Sequence, residues 1–449
     1  MSVFKKLINK HTLSLASNAV MPVVGMVTVS LLARNQSERD FGDWILFLIT
    51  FTLANLFRSG FLQTSLVKFY SGASAERSST VAGSTWYLGF ALTAALGLFS
   101  IVFNYFYDGN FEAEITLKWF AIIFFSTLPS SVALWILQAE ERFDRVFILQ
   151  LIGQGSFLLS IIILILLNKT TFQNTIYAYF TAATITSAFA IISGWARLAS
   201  ISKKTWECVK ELANFGKYSV GTSISSYLLR SSDTFIIKFM FVDPAIVGIY
   251  YLPQRLMEVI EIPLRSFIST ALPSMSAAVK HDDKGHITYI LTKYAGILTI
   301  LLIPVSLVSF ICADLVIDIL GGHKFLATNA SNVFRIFMCF AILLPVDRFF
   351  GITLDILNKP HINMIKVIIM LVVNVAGDFI GIYIFHNLYG VALSSIFTFL
   401  AGVIYGYWVL RKHLNFTMLG ILKVGFIETK ALAISFLKKY KERNTETIN

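Results

Sequence analysis

Charged residues are scarce in this sequence. Asp, Glu, Lys and Arg together make up 14% of its 449 residues, whereas a soluble domain carries about 25%. Apolar residues account for 56% of the chain and give a mean hydropathy of +0.71. This composition excludes an ordinary soluble protein and predicts an all-α protein that crosses a membrane several times.

Cysteine is also rare. Cys208, Cys312 and Cys339 lie far apart, are odd in number and have none of the spacings of a metal-binding motif. They predict neither a disulfide framework nor a zinc site, and we expect no metal and no other cofactor. The first apolar segment begins at His11 and is not followed by a small-residue cleavage site, so we expect it to be retained rather than removed as a signal peptide.

Long apolar runs recur along the whole chain. About 20 helical residues cross a hydrocarbon core of about 30 Å, and twelve runs of roughly this length can be placed. They cover residues 12–33, 43–66, 81–105, 116–137, 146–168, 174–196, 217–240, 246–270, 289–312, 331–356, 365–386 and 389–410. Proline frees a backbone carbonyl, so kinks are expected at the prolines inside spans. These are Pro22, Pro129, Pro253, Pro263, Pro304 and Pro345.

Lys and Arg outside the spans are distributed unequally. The formal charge of +11 would suit a nucleic-acid partner, but in a multi-pass protein basic residues accumulate in cytoplasmic loops. Most of them, including Lys366, fall on the side of the N-terminus, whereas the opposite segments carry acids such as Asp108 and Glu112. The pattern predicts that both termini are cytoplasmic, with no nucleic acid bound.

The two halves of the chain resemble each other weakly. A shift of 206 residues places LLARNQSERDFGDW over IKFMFVDPAIVGIY, and further along RSGFLQTSL meets RSFISTALP. An even number of helices in each repeat gives both copies the same orientation, with a substrate cavity between them. We predict two pseudo-symmetric six-helix lobes around this cavity. They are residues 1–197 and 217–412, joined by a basic cytoplasmic linker at 198–216 and followed by a basic cytoplasmic or interfacial tail at 413–449.

Several motifs occur in an order typical of one superfamily. The first helix ends in LLAR and is followed by Phe41-Gly42, and the second has a central Arg and closes with Phe69-Tyr70. Later come LQAEERFDRVFILQ and the long run from Ala213 to Leu256. With these elements the chain resembles the Wzx-type flippases, the bacterial polysaccharide exporters of the multidrug/oligosaccharidyl-lipid/polysaccharide superfamily.

This resemblance implies a transporter and not an enzyme. Its cavity would open alternately to either side and carry undecaprenyl-diphosphate-linked oligosaccharides, such as O-antigen repeat units for lipopolysaccharide, from the cytoplasmic to the periplasmic leaflet of a bacterial inner membrane. The implied partners are this lipid-linked oligosaccharide and membrane lipids, and polysaccharide polymerase machinery is a further candidate.

Arg58 is the charged residue that demands an explanation in the first lobe. No acidic residue lies in the interior of a span there, so a partner would have to come from the other lobe or from a bound anion, unless the side chain extends to the cytoplasmic face. A diphosphate would supply that anion, because guanidinium binds phosphate oxygens bidentately. The resemblance points to the same arginines on the second and eighth helices. The predicted substrate-binding residues are Arg58, Arg255, Arg265, Arg230, Asn18 and Asn55.

Acids and bases alternate within the spans of the second lobe. At helical spacing, Arg255, Glu258, Glu261 and Arg265 form one polar stripe. Buried charges must be paired, so one interpretation is a set of structural pairs: Arg230/Asp233, Arg255/Glu258, Glu261/Arg265 and Asp347/Arg348. The other is that acids carry the coupling ion, and the candidates for this role are Asp233, Glu258, Glu261 and Asp378.

Two other functions compete with the flippase. A cation-coupled drug or metabolite exporter of the same superfamily is expected to use an acid on the first helix, but none lies between Lys10 and Arg34. A membrane enzyme acting on lipid-linked glycans would need catalytic groups on a sizeable outer loop, whereas the predicted outer loops are short. We therefore predict no catalytic residues.

Overall fold

Helices make up nearly all of the protein. A computed structural model describes residues 10–106, 113–241, 243–281 and 283–446, which are largely helical and contain no strand. The helices are α1 (Lys10–Asn35), α2 (Glu38–Tyr70), α3 (Ala75–Phe106), α4 (Ala113–Ala139), α5 (Phe143–Leu166), α6 (Phe172–Ile192), α7 (Trp206–Met240), α8 (Ala245–Lys280), α9 (Lys284–Ile311), α10 (Ala313–Gly321), α11 (Ala330–Ala341), α12 (Leu344–Ile356), α13 (Pro360–Phe385), α14 (Leu388–Leu410) and α15 (Met418–Glu446). Short 3-10 segments cover Leu198–Lys203 and His323–Ala327.

The predicted spans coincide with these helices, and the protein is a multi-pass membrane protein. Within the described residues, eight helices are long and apolar enough to cross a membrane: α2, α3, α4, α5, α6, α9, α13 and α14. The bent pair of α11 and α12 would make a ninth. The predicted spans at 217–240 and 246–270 coincide with α7 and α8, whose charged side chains lower their hydropathy.

The predicted span at 331–356 is broken. Its two helices, α11 and α12, meet at an angle of 48°, and Pro345 occupies the first turn of α12. Proline is tolerated in a first turn because its missing N–H has no helical partner there, whereas inside a helix it removes a hydrogen bond. The kink expected at Pro345 is therefore present as a helix boundary.

The chain divides into two compact units. The first contains Met1–Ser231 with Val242–Gly248, and the second contains Ser232–Phe241 with Ile249–Asn449. The boundary between the two units thus falls within α7, and the first part of this helix belongs to the first unit. The lobes at 1–197 and 217–412, with the linker at 198–216, stay a prediction from the internal repeat.

In the first unit, α7 lies directly against α2. A Cβ atom at Gly60 would lie 2.9 Å from Ser223 Cβ, so this close approach of the two backbones requires a glycine. Tyr227 donates a hydrogen bond to the Ile49 carbonyl at 2.9 Å. The remaining core of the unit is built around large apolar side chains such as Trp86 and Leu62.

In the second unit, the predicted tail forms α15, which packs antiparallel on α9. Gly425 of α15 meets Gly296 of α9 with almost no space between the backbones. Glu428 of α15 accepts a hydrogen bond at 2.6 Å from Tyr289 and lies 2.9 Å from Lys293, and both of these residues lie in the first half of α9. These two contacts lower the pKa of Glu428 and attach the tail to the rest of the unit.

Candidate functional site

Arg58 lies in the interior of α2, and its side chain is completely buried. Among the described residues its guanidinium donates only to uncharged oxygens of α2, α3 and α4, and its Nε has no partner. These acceptors, which we call the Arg58 cage, are the Phe124 carbonyl at 2.6 Å, Asn55 Oδ1 at 2.7 Å, Thr127 Oγ1 at 2.9 Å, Thr93 Oγ1 at 3.3 Å and Ser131 Oγ at 3.4 Å.

The Arg58 cage excludes one interpretation of this arginine. The side chain does not extend to the cytoplasmic face, because it is buried and its guanidinium bonds to α3 and α4. Its described hydrogen-bond partners are uncharged groups of the same unit. A charged partner, from the other lobe or from a bound anion, therefore stays a prediction. Hydroxyl and carbonyl groups can solvate a guanidinium, at about 1.5–3 kcal/mol for each bond to a charged group, but they leave its charge uncompensated.

Aromatic rings surround the Arg58 cage on one side. The Phe124 ring centre lies 5.9 Å from Arg58 Cζ, and the same ring stacks on Phe51 at 4.8 Å. Phe51 in turn contacts Phe120 and Tyr179 edge to face. Such a wall excludes water, which strengthens the field of the guanidinium in its surroundings.

Two buried carboxylates come together in the second unit. Asn374 on α13 donates to Asp233 at 2.5 Å and to Asp378 at 3.3 Å, so one amide bridges both acids. Tyr250 donates to Asp233 at 2.6 Å, and Ser394 donates to Asp378. All five side chains are buried. We call Asp233 and Asp378 the acidic pair.

The positions of these residues follow from helical spacing. Asn374 and Asp378 are four residues apart on α13, as are Ser394 and Thr398 on α14, so each couple lies on one face of its helix. Thr398 donates to the Asn374 carbonyl oxygen at 3.0 Å, which orients the bridging amide.

The acidic pair is suited to holding a cation. The hydrogen-bond donors to its two carboxylates named above are uncharged hydroxyl and amide groups. Two neighbouring buried carboxylates cannot both stay ionised without a counter-charge. A proton shared between them would remove the repulsion, and a small hard cation with oxygen ligands would do the same. The pairing of Asp233 with Arg230 stays a prediction, and the Arg230 side chain is exposed.

Two of the predicted ion pairs on α8 are confirmed. Arg255 donates to Glu258, and Arg265 lies 2.9 Å from Glu261. Each pair is formed within one helix, at a spacing of three or four residues.

The predicted pair of Asp347 with Arg348 is wrong. Lys366 Nζ of α13 forms an ion pair with Asp347 Oδ1 at 2.6 Å. Arg348 instead forms an ion pair with Glu261 Oε1 of α8 at 3.2 Å. Adjacent helical residues point about 100° apart, so Asp347 and Arg348 face different neighbours. Lys366, expected at the cytoplasmic surface, is buried in the protein.

The structure places the other predicted residues separately. Asn55 belongs to the Arg58 cage, and Arg255 and Arg265 lie in the second unit. The side chain of Asn18 lies outside the described residues. Sequence reasoning missed the cage hydroxyls and the bridging Asn374. It also missed the buried role of Lys366, which the four-residue spacing from Lys366 through Met370 and Asn374 to Asp378 could have indicated.

Comparison with known proteins adds a family and a fold. The family model described as "Polysaccharide biosynthesis protein" matches residues 31–330. The chain is also 26% identical over 200 residues to the "Probable low-salt glycan biosynthesis flippase Agl15" of Haloferax volcanii, an alignment covering 44% of this chain and 42% of that relative. The chain thus spans less than half the length of the curated relative it matches.

Two solved structures share the fold. One is an inward-facing multidrug resistance MATE family transporter of the MOP superfamily, with a TM-score of 0.68 and 15% identity over 91% of this chain and 98% of that one. The other is the lipid II flippase MurJ in an inward closed conformation, with a TM-score of 0.68 and 15% identity over 94% and 92% of the two chains. At this identity the likeness describes the fold alone.

Proposed function

The chain belongs to the family of polysaccharide biosynthesis proteins, and from that premise we propose that it is a flippase for lipid-linked oligosaccharides. It moves undecaprenyl-diphosphate-linked repeat units by alternating access, from the cytoplasmic to the periplasmic leaflet of a bacterial inner membrane, with both termini cytoplasmic. The family match over residues 31–330 and the flippase named among its relatives support this proposal. Polysaccharide polymerase machinery is a proposed partner.

The observation that most strongly supports a diphosphate-containing substrate is the uncompensated charge of Arg58. A guanidinium inside a membrane protein is costly, and its retention in a cage of neutral oxygens favours a task for the charge itself. A diphosphate headgroup has the opposite charge and the geometry that guanidinium prefers. Because Arg58 is buried in the described conformation, direct contact with the headgroup requires the cage to release it.

The acidic pair supplies a coupling site in this proposal. Asp233 and Asp378 take up a proton or a small cation on one side of the membrane and release it on the other. Both carboxylates are buried, so they repel each other strongly when both are ionised and no cation is bound. Glu258 and Glu261 are further coupling candidates, but both form ion pairs with arginines. The acidic pair is therefore the first site to test for ion coupling.

A drug or metabolite exporter is the second candidate. The MATE-like fold favours it, and so does the presence of two acids that attract cations. However, Asp233 and Asp378 are buried among hydroxyl and amide groups, which suits a proton or a small ion better than a bulky organic cation.

Deleting the gene tests the proposal. The flippase predicts that the lipid-linked oligosaccharide accumulates on the cytoplasmic leaflet, and that the wild-type gene reverses this accumulation. Leaflet distribution is measured by accessibility of the glycan to an enzyme that cannot cross the membrane. An unchanged distribution, together with greater sensitivity to cationic drugs, would contradict the flippase and favour the exporter.

A further inference from the structure

Three lysines from three parts of the second unit surround His413. Lys359 lies immediately before α13, Lys284 is the first residue of α9, and Lys412 follows the end of α14. Lys359 Nζ donates a hydrogen bond to His413 Nε2 at 2.8 Å. Burial and the positive charges of the three lysines lower the pKa of His413, which favours the neutral ring that can accept this bond. We call the three lysines together with His413 the lysine cluster.

The lysine cluster has an excess of positive charge. Within the described residues of this unit, the lysines that form ion pairs are others, Lys293 and Lys366. Asp283, which precedes Lys284 in the chain, caps α9 by accepting a hydrogen bond from the His286 amide at 2.9 Å. The cluster also stands at the N-termini of α9 and α13, where helix dipoles favour an anion over a cation. An anion bound between the lysines would relieve their repulsion.

An exposed apolar stripe leads away from the lysine cluster along α14. Lys412 Nζ lies 3.3 Å from the ring centre of Trp408. Trp408, Ile404 and Phe397 are each more than half exposed, and their spacing of four and seven residues places them on one face of the helix. We call these three residues the α14 stripe. Because α14 is long and apolar enough to cross a membrane and tryptophan is enriched where spans meet lipid headgroups, the lysine cluster lies at headgroup depth and the α14 stripe faces acyl chains.

We propose that the lysine cluster binds the phosphate of an anionic phospholipid, whose acyl chains lie along the α14 stripe. An ammonium group has three donors, so Lys359 can keep its bond to His413 and still donate to phosphate oxygens. Lys284 and Lys412 are exposed and add their charges at the same phosphate, as in other basic pockets at the headgroup level. A phospholipid uses both the lysines and the apolar stripe, whereas a soluble anion would use the lysines alone. The inference goes beyond the proposed function and does not depend on what the protein transports.

The first test measures the pKa of His413 by NMR in the purified full-length protein, labelled at histidine and held in lipid nanodiscs. Nanodiscs of phosphatidylcholine are compared with nanodiscs that also contain phosphatidylglycerol, and His413→Gln identifies the signal. A bound phosphate offsets the charge of the lysines, so phosphatidylglycerol should raise the pKa of His413.

His386 is the matched control for this measurement. It caps the opposite end of α13 and meets the same nanodisc lipids away from the lysine cluster. Its pKa should change less than that of His413. Equal changes at both histidines would overturn the site, because they would reflect only the general surface charge of the membrane.

The second test measures the affinity of the protein in detergent for a short-chain phosphatidylglycerol by native mass spectrometry. Lys284→Gln, Lys359→Gln and Lys412→Gln should each weaken binding about fivefold, as expected for the loss of one lysine near a headgroup. Lys203→Gln removes an exposed lysine of the first unit and should leave binding unchanged. If Lys359→Gln fails to fold, Lys359→Arg keeps the charge and should bind like the wild type. Unchanged affinity in all three variants of the lysine cluster would overturn the site.

Inorganic phosphate separates the lipid from a soluble anion. Millimolar phosphate added to phosphatidylcholine nanodiscs should leave the pKa of His413 nearly unchanged, because it cannot use the α14 stripe. A rise equal to that caused by phosphatidylglycerol would overturn the phospholipid and favour a soluble phosphate. Neither test involves transport, so their outcome is independent of whether the protein flips lipids.

Discussion

Lys366 and Asp347 form an ion pair of 2.6 Å in which both side chains are almost completely buried. The pair joins α13 to α12. A buried pair of this kind contributes little net stability compared with apolar residues, but breaking it leaves an unpaired charge in the interior.

Removing one member of this pair should therefore destabilise the protein strongly. Lys366→Met should lower the free energy of unfolding by about 3–5 kcal/mol, whereas the double variant Lys366→Met/Asp347→Leu should recover most of the loss. The measurement is unfolding of the purified protein in detergent. The exposed pair of Arg335 and Asp314 is the control, and Arg335→Met should cost less than about 1 kcal/mol. Equal losses in both single variants would contradict the importance of burial.

Arg58→Ala should abolish flipping while the protein still inserts into the membrane. Arg58→Lys should restore only part of the activity, because a point charge replaces a planar fork of donors. Activity is measured in vesicles at matched protein content. Thr127→Val provides the control, since it removes one acceptor of the Arg58 cage but keeps the charge. If Thr127→Val and Arg58→Ala lose activity in proportion to their loss of stability, Arg58 is a structural residue only.

Asp378→Asn should uncouple transport from an ion gradient. The amide keeps the shape of the side chain and removes one of two neighbouring charges, so the protein should be as stable as the wild type or more stable. Flipping in vesicles is compared with and without proton and sodium gradients. Asp355→Asn is a suitable control, because Asp355 is exposed and bonded to Asn363. A full gradient response in Asp378→Asn would argue against the acidic pair as the coupling site.

The pair of Arg255 and Glu258 can be tested by neutralising both members. If Glu258 serves only to neutralise Arg255, the double change Arg255→Gln/Glu258→Gln should be better tolerated than either single change. Transport and expression are measured for all three variants. Equal loss of transport in all of them would favour an ion-carrying role for Glu258.

The membrane potential should drive the transport of a charged lipid. An inside-negative potential favours outward movement of negative charge by about 2.3 kcal/mol per charge per 100 mV. In reconstituted vesicles, a potassium diffusion potential that is negative on the substrate side should speed flipping without any proton or sodium gradient, and the opposite potential should slow it. A rate that follows an ion gradient but ignores the potential would mean that no net charge moves.

Much of the fold could be predicted because apolar runs of membrane length are an unambiguous signal. The break between α11 and α12 was also indicated, since Pro345 cannot continue a helix without losing a hydrogen bond. Pairs within one helix, such as Arg265 with Glu261, follow from helical spacing alone.

Contacts between helices could not be predicted in the same way. Asp347 and Arg348 look like partners in the sequence, but their true partners lie on α13 and α8, and helix packing decides between them. The Arg58 cage was missed for a related reason: Thr93, Thr127 and Ser131 carry no charge and are ordinary residues of membrane helices. Their importance arises only when packing brings them to one guanidinium.

Lys366 and Asp378 both belong to α13 and lie twelve residues and about 18 Å apart along the helix axis. Lys366 holds α12 through Asp347, and Asp378 holds α14 and the bridging amide near Asp233. We treat this continuous helix as a rigid body. Any rotation of α13 that separates Asp378 from its partners therefore also turns Lys366 away from Asp347, so that one movement breaks a bond at two distant depths of the protein.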